Sequence, residues 1–201
     1  MAKIKNSANG TKKETILEEA ARLFYEKGFS ATSMRDLAEQ LGVEAASLYN
    51  HIHSKSEILK GICFRVAEAF MTRMEQVEMN NETALKKIEG LIRFHVQQMI
   101  HEYEYVHVSD GEWKHLAEPY LTEYQAQRRS YRKRFAALIE EGIRENQVKD
   151  IDPPTAVLIM LHAVGGIESW HRSKRKITAE QLEENMVTIL VQGLCRNDQI
   201  K

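Results

Sequence analysis

The chain has 201 residues, 43% hydrophobic and 28% charged, with 28 lysines and arginines against 29 acids and a net charge of −1. That length allows one or two domains with a sizeable core, and that composition excludes extended disorder. A charge so close to zero excludes a DNA-packaging protein, yet leaves room for a local basic patch. No secretory apolar segment and no uninterrupted apolar run of about 18 residues occurs, so a cytoplasmic protein with no membrane partner is expected. Cys63 and Cys195 lie far apart without a CxxC pair. They read as reduced thiols, neither a zinc site nor a disulfide framework.

Residues 1–13 carry Lys3, Lys5, Lys12 and Lys13 and no acid. Residues 1–10 read as an arm. A helix is expected from Thr11 to Lys27, with Ile16, Leu17, Ala20, Leu23 and Phe24 on its buried side and Gly28 at its end. Lys12 is a candidate phosphate contact, the alternative being a solvated first turn.

Between Thr32 and Leu59 two helix starts flank one tight turn. Ser33 precedes Asp36, and Ser54 precedes Glu57, at the spacing of a capping box. Met34, Leu37, Ala38 and Leu41 recur at helical spacing, Gly42 suits a left-handed turn, and Val43, Leu48 and Ile52 resume the apolar pattern. Helix, glycine turn and helix describe a helix-turn-helix. Its second helix, Glu44 to His51, is the candidate reader of the major groove. Asn50 suits adenine, Ala45 or Ala46 a thymine methyl, and Arg35 a base edge or phosphate; Ser47 is exposed beside them. Thr32 and Ser33 at the preceding helix start join this DNA-facing set. Lys55 begins the next helix, where a positive charge and free N–H groups suit a phosphate. Tyr49 has the alternative of simple packing, and Asn50 of a solvent position. Glu44 suits the helix dipole but would be repelled by phosphate, which weighs against base readout at that end.

The run T-S-M-R-D-L-A…L-G-V…S-L-Y-N-H-I…S-K-S-E-I-L resembles the DNA-binding domain of the TetR family of bacterial transcriptional repressors, over about residues 11–60. Leu48, Tyr49, His51, Ile52 and Lys55 carry the most specific part. The resemblance implies that Tyr49 and His51 rest on phosphates, and that the protein represses transcription. It divides the chain into a DNA-binding domain, 1–54, and a ligand-binding and dimerisation domain, 55–201.

Past this point a helix from Lys55 to Met79 carries Ile58, Leu59, Ile62, Val66, Phe70 and Met74 near one face and reads as a connector. A polar break follows at Asn80-Asn81. One amphipathic helix is expected from Ala84 to Val108, on Leu85, Ile88, Ile92, Val96, Met99 and Tyr103. An irregular stretch follows over 107–120, with Gly111, Trp113, Leu116 and Pro119. A long helix then runs from Leu121 to Glu145. Asp152 caps a further helix opened by Pro153 and Pro154, and its segment 156–167 is apolar almost all round. Thr178 and Gln181 form a capping box for the last helix. No useful strand pattern appears, so the fold is expected to be all-α with about nine helices.

A helix apolar on most faces must be buried on most faces. Segment 156–167 is therefore expected to face its own core and a second copy, with Gly165 and Gly166 allowing close approach. The alternative is a single buried central helix. A homodimer joined by the last two helices of each copy matches the resembled family. Two-fold symmetry would set the recognition helices about 34–36 Å apart and imply a near-palindromic double-stranded operator.

The second domain is expected to hold a small-molecule effector. Phe94, Tyr103, Trp113, Tyr120, Tyr124 and Trp170 offer an aromatic lining, although each alone fits a core. Arg128 and Arg132, one turn apart on the side of Tyr124, suit an anionic group; the alternative is a solvated face paired with Glu123 and Glu140. The later pattern G-G-I-E-S-W-H-R…I-T-A-E-Q-L…V-Q-G-L is similar to a branch responding to acyl-coenzyme A thioesters. A cationic, drug-like ligand controlling an efflux gene is the alternative. His101, Glu104 and His107 stand three apart, which drifts about 60° per step around a helix and fits one metal ion poorly. With no phosphate loop or nucleophile motif, neither a cofactor nor an enzyme is implied.

Overall fold

The computed structural model describes residues 12–173 and 177–195. The amino-terminal arm, its Lys3 and Lys5, and the expected helix start at Thr11 lie outside the described residues. Among the described residues there are ten α-helices: α1 (Lys12–Lys27), α2 (Met34–Gln40), α3 (Ala45–Tyr49), α4 (Lys55–Met79), α5 (Ala84–His101), α6 (Tyr103–Gly111), α7 (Tyr120–Arg144), α8 (Pro153–Gly165), α9 (Glu168–Arg172) and α10 (Ala179–Leu190). Two 3₁₀ turns, at Trp113–His115 and Gln192–Leu194, and one isolated bridge between Val148 and Cys195 complete the all-α fold.

Packing gathers the described residues into two units: those up to 68 with 104–126, and 69–103 with those from 127 onward. In the first, Ile16, Leu23, Phe24, Leu37, Leu48, Ile52, Ile58 and Ile62 share one core with Tyr105, Val108, Leu116 and Tyr124. That core takes in the first half of α4 and the 104–126 segment as well, because three short helices leave apolar faces that they cannot bury among themselves.

Local chemistry fixes the helix starts. Ser33 caps α2: the Asp36 N–H donates to Ser33 Oγ at 3.1 Å and the Ser33 N–H to Asp36 Oδ2 at 2.7 Å. The second expected box is shifted by one residue. Glu57 N–H donates to Ser54 Oγ at 3.1 Å, but the Glu57 carboxylate accepts from the His53 N–H at 2.9 Å. Gly42 turns the chain at φ 65°, in the left-handed region that glycine takes cheaply.

In the second unit α5 packs against both α8 and α10. Arg93 on α5 pairs with Glu89 at 3.0 Å and reaches Glu183 and Glu184 of α10 at 3.1 and 2.6 Å. Arg134 of the basic run on α7 pairs with Glu78 of α4. Asp152 caps α8 by accepting from the Thr155 N–H at 2.8 Å, and Thr178 and Gln181 close their box at 3.2 and 3.0 Å.

Two expected elements differ. The helix over 84–108 is two, because Glu102 leaves the helical region at φ −120°, ψ 33°. The break lets Met99 and Tyr103 pack in one unit while Tyr105 and Val108 enter the core of the other. The irregular stretch expected over 107–120 begins as helix, since α6 runs on to Gly111. On α8, Ala156, Val157, Met160 and Val164 face the core of the protomer, while Leu158 and Ile159 are 49% and 60% exposed.

Candidate nucleic-acid interface and effector region

The turn between α1 and α2 shapes the DNA-facing end. Gly28 takes φ 82°, which ends α1 and sends Phe29 back into the core. Lys55, from the start of α4, lays its ammonium among three carbonyls of this turn, donating to Phe29 O at 2.6 Å, Ser30 O at 3.4 Å and Thr32 O at 2.7 Å. It also sits 4.3 Å above the Phe29 ring. Thr32 is buried, its hydroxyl donating to Gly28 O at 2.9 Å. The side chains of Thr32 and Lys55 thus hold the turn, and Ser33 caps α2.

Leu48 is fully buried and anchors α3, which leaves Tyr49 45% exposed. Asn50 beside it and Arg35 on α2 are exposed, and Ala45, Ser47 and His51 are half-buried. Glu44 makes no side-chain capping bond. At the start of α1, Lys12 is exposed and Lys13 pairs with Glu57 at 3.4 Å. The His53 N–H, and then Lys13, hold the Glu57 carboxyl below its ordinary value.

The residues expected around an effector fall into both packed units. Trp113, Tyr120 and Tyr124 belong to the first. Tyr124 is buried, its hydroxyl 2.5 Å from Ser109 Oγ and donating to Ser109 O at 3.2 Å. Trp113 lies 6.4 Å from it, and Tyr120 carries the Lys60 ammonium 3.6 Å above its ring. Phe94, Tyr103, Arg128, Arg132 and Trp170 belong to the second. Phe94 packs edge-on to Phe70 at 5.2 Å, and Tyr103 stacks on His171 at 4.4 Å. Trp170 donates from Nε1 to Ile177 O at 3.1 Å. Arg132 is exposed, its Nε donating to Arg128 O at 3.4 Å.

The second unit also holds a polar pair that the sequence reading missed. His95 Nε2 lies 2.7 Å from the Tyr131 hydroxyl, with Phe70 and Phe135 against the imidazole. Burial pushes the His95 pKa down to about 3 and raises that of Tyr131, so both are neutral. Its signal was a histidine in register with Ile88, Ile92 and Met99 on the apolar face of α5. Among the described residues no three histidines, cysteines or acids are grouped to hold a metal. No helix there is long and apolar enough to cross a membrane. Cys63 and Cys195 are buried.

A capped α2, a glycine turn and a short α3 with exposed polar side chains define a helix-turn-helix protein with an all-α second body. The profile of bacterial regulatory proteins of the tetR family matches residues 16–62, and that of the tetracyclin repressor-like C-terminal domain matches residues 81–194. The chain belongs to the TetR family and is a transcriptional repressor of that type. It is 24% identical over 198 residues to the HTH-type transcriptional repressor KstR2 of Mycobacterium tuberculosis, covering 98% of both chains. The structure of that ketosteroid transcriptional regulator superposes with a TM-score of 0.86, at 23% identity, over 97% of this chain and 100% of the other. AibR, solved in complex with isovaleryl coenzyme A and operator DNA, gives a TM-score of 0.78 at 22% identity, over 89% and 97%.

Proposed function

We propose that the chain grips a near-palindromic operator as a homodimer and releases it when an anionic amphiphile, an acyl-CoA thioester, binds the second domain. The observation that carries this reading is the exposed row of Arg35, Tyr49 and Asn50 above the buried Leu48 anchor, a polar face set on a rigid core. Ala45 and Ser47 would face bases, and Tyr49, His51, Lys12 and the N–H groups near Lys55 would face phosphates. Residues 1–54 would act as the reading head and 55–201 as the sensing and pairing part, in the cytoplasm where the operator lies.

Exposed Leu158 and Ile159 on α8 and Ile189 on α10 support pairing with a second copy. For the effector, support comes from the AibR complex with isovaleryl coenzyme A and from Arg128 and Arg132, whose forked donors match phosphate. Phe94, Tyr103 and Trp170, which share a unit with Arg128 and Arg132, would meet the acyl chain, each buried methylene adding about 0.8 kcal/mol.

The test is direct. A duplex is selected from a randomised pool by retention on the protein, and its affinity is read with and without isovaleryl-CoA, palmitoyl-CoA, free coenzyme A and free palmitate. The expected result is a two-fold symmetric site whose affinity falls about a hundredfold with an acyl-CoA, a coupling of about 3 kcal/mol. Equal affinity with every additive would remove the acyl-CoA reading, and retention without sequence preference would remove the operator reading.

A further inference from the structure

We infer that Glu112 is a positioning residue for operator binding: it fastens the Gly28–Thr32 turn, and through it α2 and α3, to the segment that leads into α7. The inference rests on the reading of α2 and α3 as the DNA-reading element. Glu112 lies just past α6, and its Oε1 accepts the Phe29 N–H at 3.2 Å, across 83 residues of chain. Its Oε2 is 3.4 Å from His115 Nε2, and the His115 ring stacks on Phe29 at 5.2 Å. The same Oε1 lies 3.6 Å from where a Cβ on Gly28 would sit, so the carboxylate closes directly over the end of α1. Lys55 holds the carbonyl side of this turn from the start of α4. Glu112 holds the Phe29 N–H of the turn from just past α6. A carboxylate accepting a backbone N–H makes one of the stronger hydrogen bonds, and it sets where Phe29 and the Ser33 cap begin α2.

The sign of the effect separates positioning from bulk charge. Removing an acid from a DNA-binding protein strengthens its grip if only charge matters. Positioning gives the opposite sign. Operator affinity is measured on the full-length protein with a duplex selected by the wild type from a randomised pool, alongside a scrambled duplex. E112A is expected to lose about tenfold on the selected duplex and to keep its affinity for the scrambled one. E112Q, which loses the charge but keeps an acceptor for Phe29, is expected to recover most of the loss. Active-fraction titration and a thermal melt identify any E112A loss due to unfolding; in that case the E112Q result decides. An E112A affinity at or above that of the wild type, or an E112Q loss as large as that of E112A, overturns the inference. A wild type that selects no sequence overturns the reading of α2 and α3 on which it rests.

Discussion

His95 shows how one side chain on an apolar stripe couples the second unit to pH. Its pKa in the folded chain, about 3, lies below the 6.5 of an unperturbed imidazole. Above pH 6.5 neither state takes the proton, so nothing is lost. As pH falls below 6.5, the unfolded chain binds a proton that the folded one refuses, and stability drops by up to about 1.4 kcal/mol per pH unit. Between pH 7 and pH 5 the loss should be about 2 kcal/mol for this group alone. Urea unfolding at both pH values should show His95→Leu losing less across that interval than the wild type, whatever its stability at pH 7 after stranding the Tyr131 hydroxyl. Equal pH dependence in the two proteins would mean that His95 is charged in the fold. The sequence showed the histidine among apolar neighbours, but nothing near it in the chain named Tyr131 as its partner.

At the scale of elements, the ends of helices were legible and their breaks were not. Ser33, Asp152 and Thr178 cap as their spacing implies, because a capping bond spans only two or three residues. The break at Glu102 has no glycine or proline to announce it and follows from where Tyr103 and Tyr105 must pack. Close packing is sharpest at Gly142 near the end of α7. A Cβ there would stand 2.7 Å from Val148 Cγ2 and 3.5 Å from Ala84 Cβ at the start of α5. Alanine in a helix ordinarily gains about 1 kcal/mol over glycine. Gly142→Ala should instead lose about 1–3 kcal/mol, since the overlap exceeds what Val148 can yield. A thermal melt checks it: a raised midpoint would show that the Val148 loop shifts freely.

For the whole molecule, the exposed apolar residues of α8 and α10 matter most. Ile159 and Ile189 are 60% and 69% exposed on helices that both pack against α5. Lysine at both positions should leave the protomer folded, because neither side chain belongs to its core. Light scattering should then report single chains, and affinity for a two-fold operator should fall with them, since each half-site would be gripped alone. A double variant that stayed dimeric would place the pairing surface elsewhere. The sequence identified the segment as too apolar for one core. Which of its residues turn outward depended on α8 resting against α5.

The amino-acid sequence by itself determined the all-α class, the helix-turn-helix, the position of α3 and the caps that start the helices. These depend on residues within about four positions of each other, which the chain states directly. Tertiary structure decided that Lys55 turns into the α1–α2 turn, that Glu112 closes over it, and that residues 104–126 complete the core around α1, α2 and α3. Each of these joins groups from about 20 to more than 80 positions apart, and no periodicity or propensity encodes which distant carbonyl an ammonium will meet.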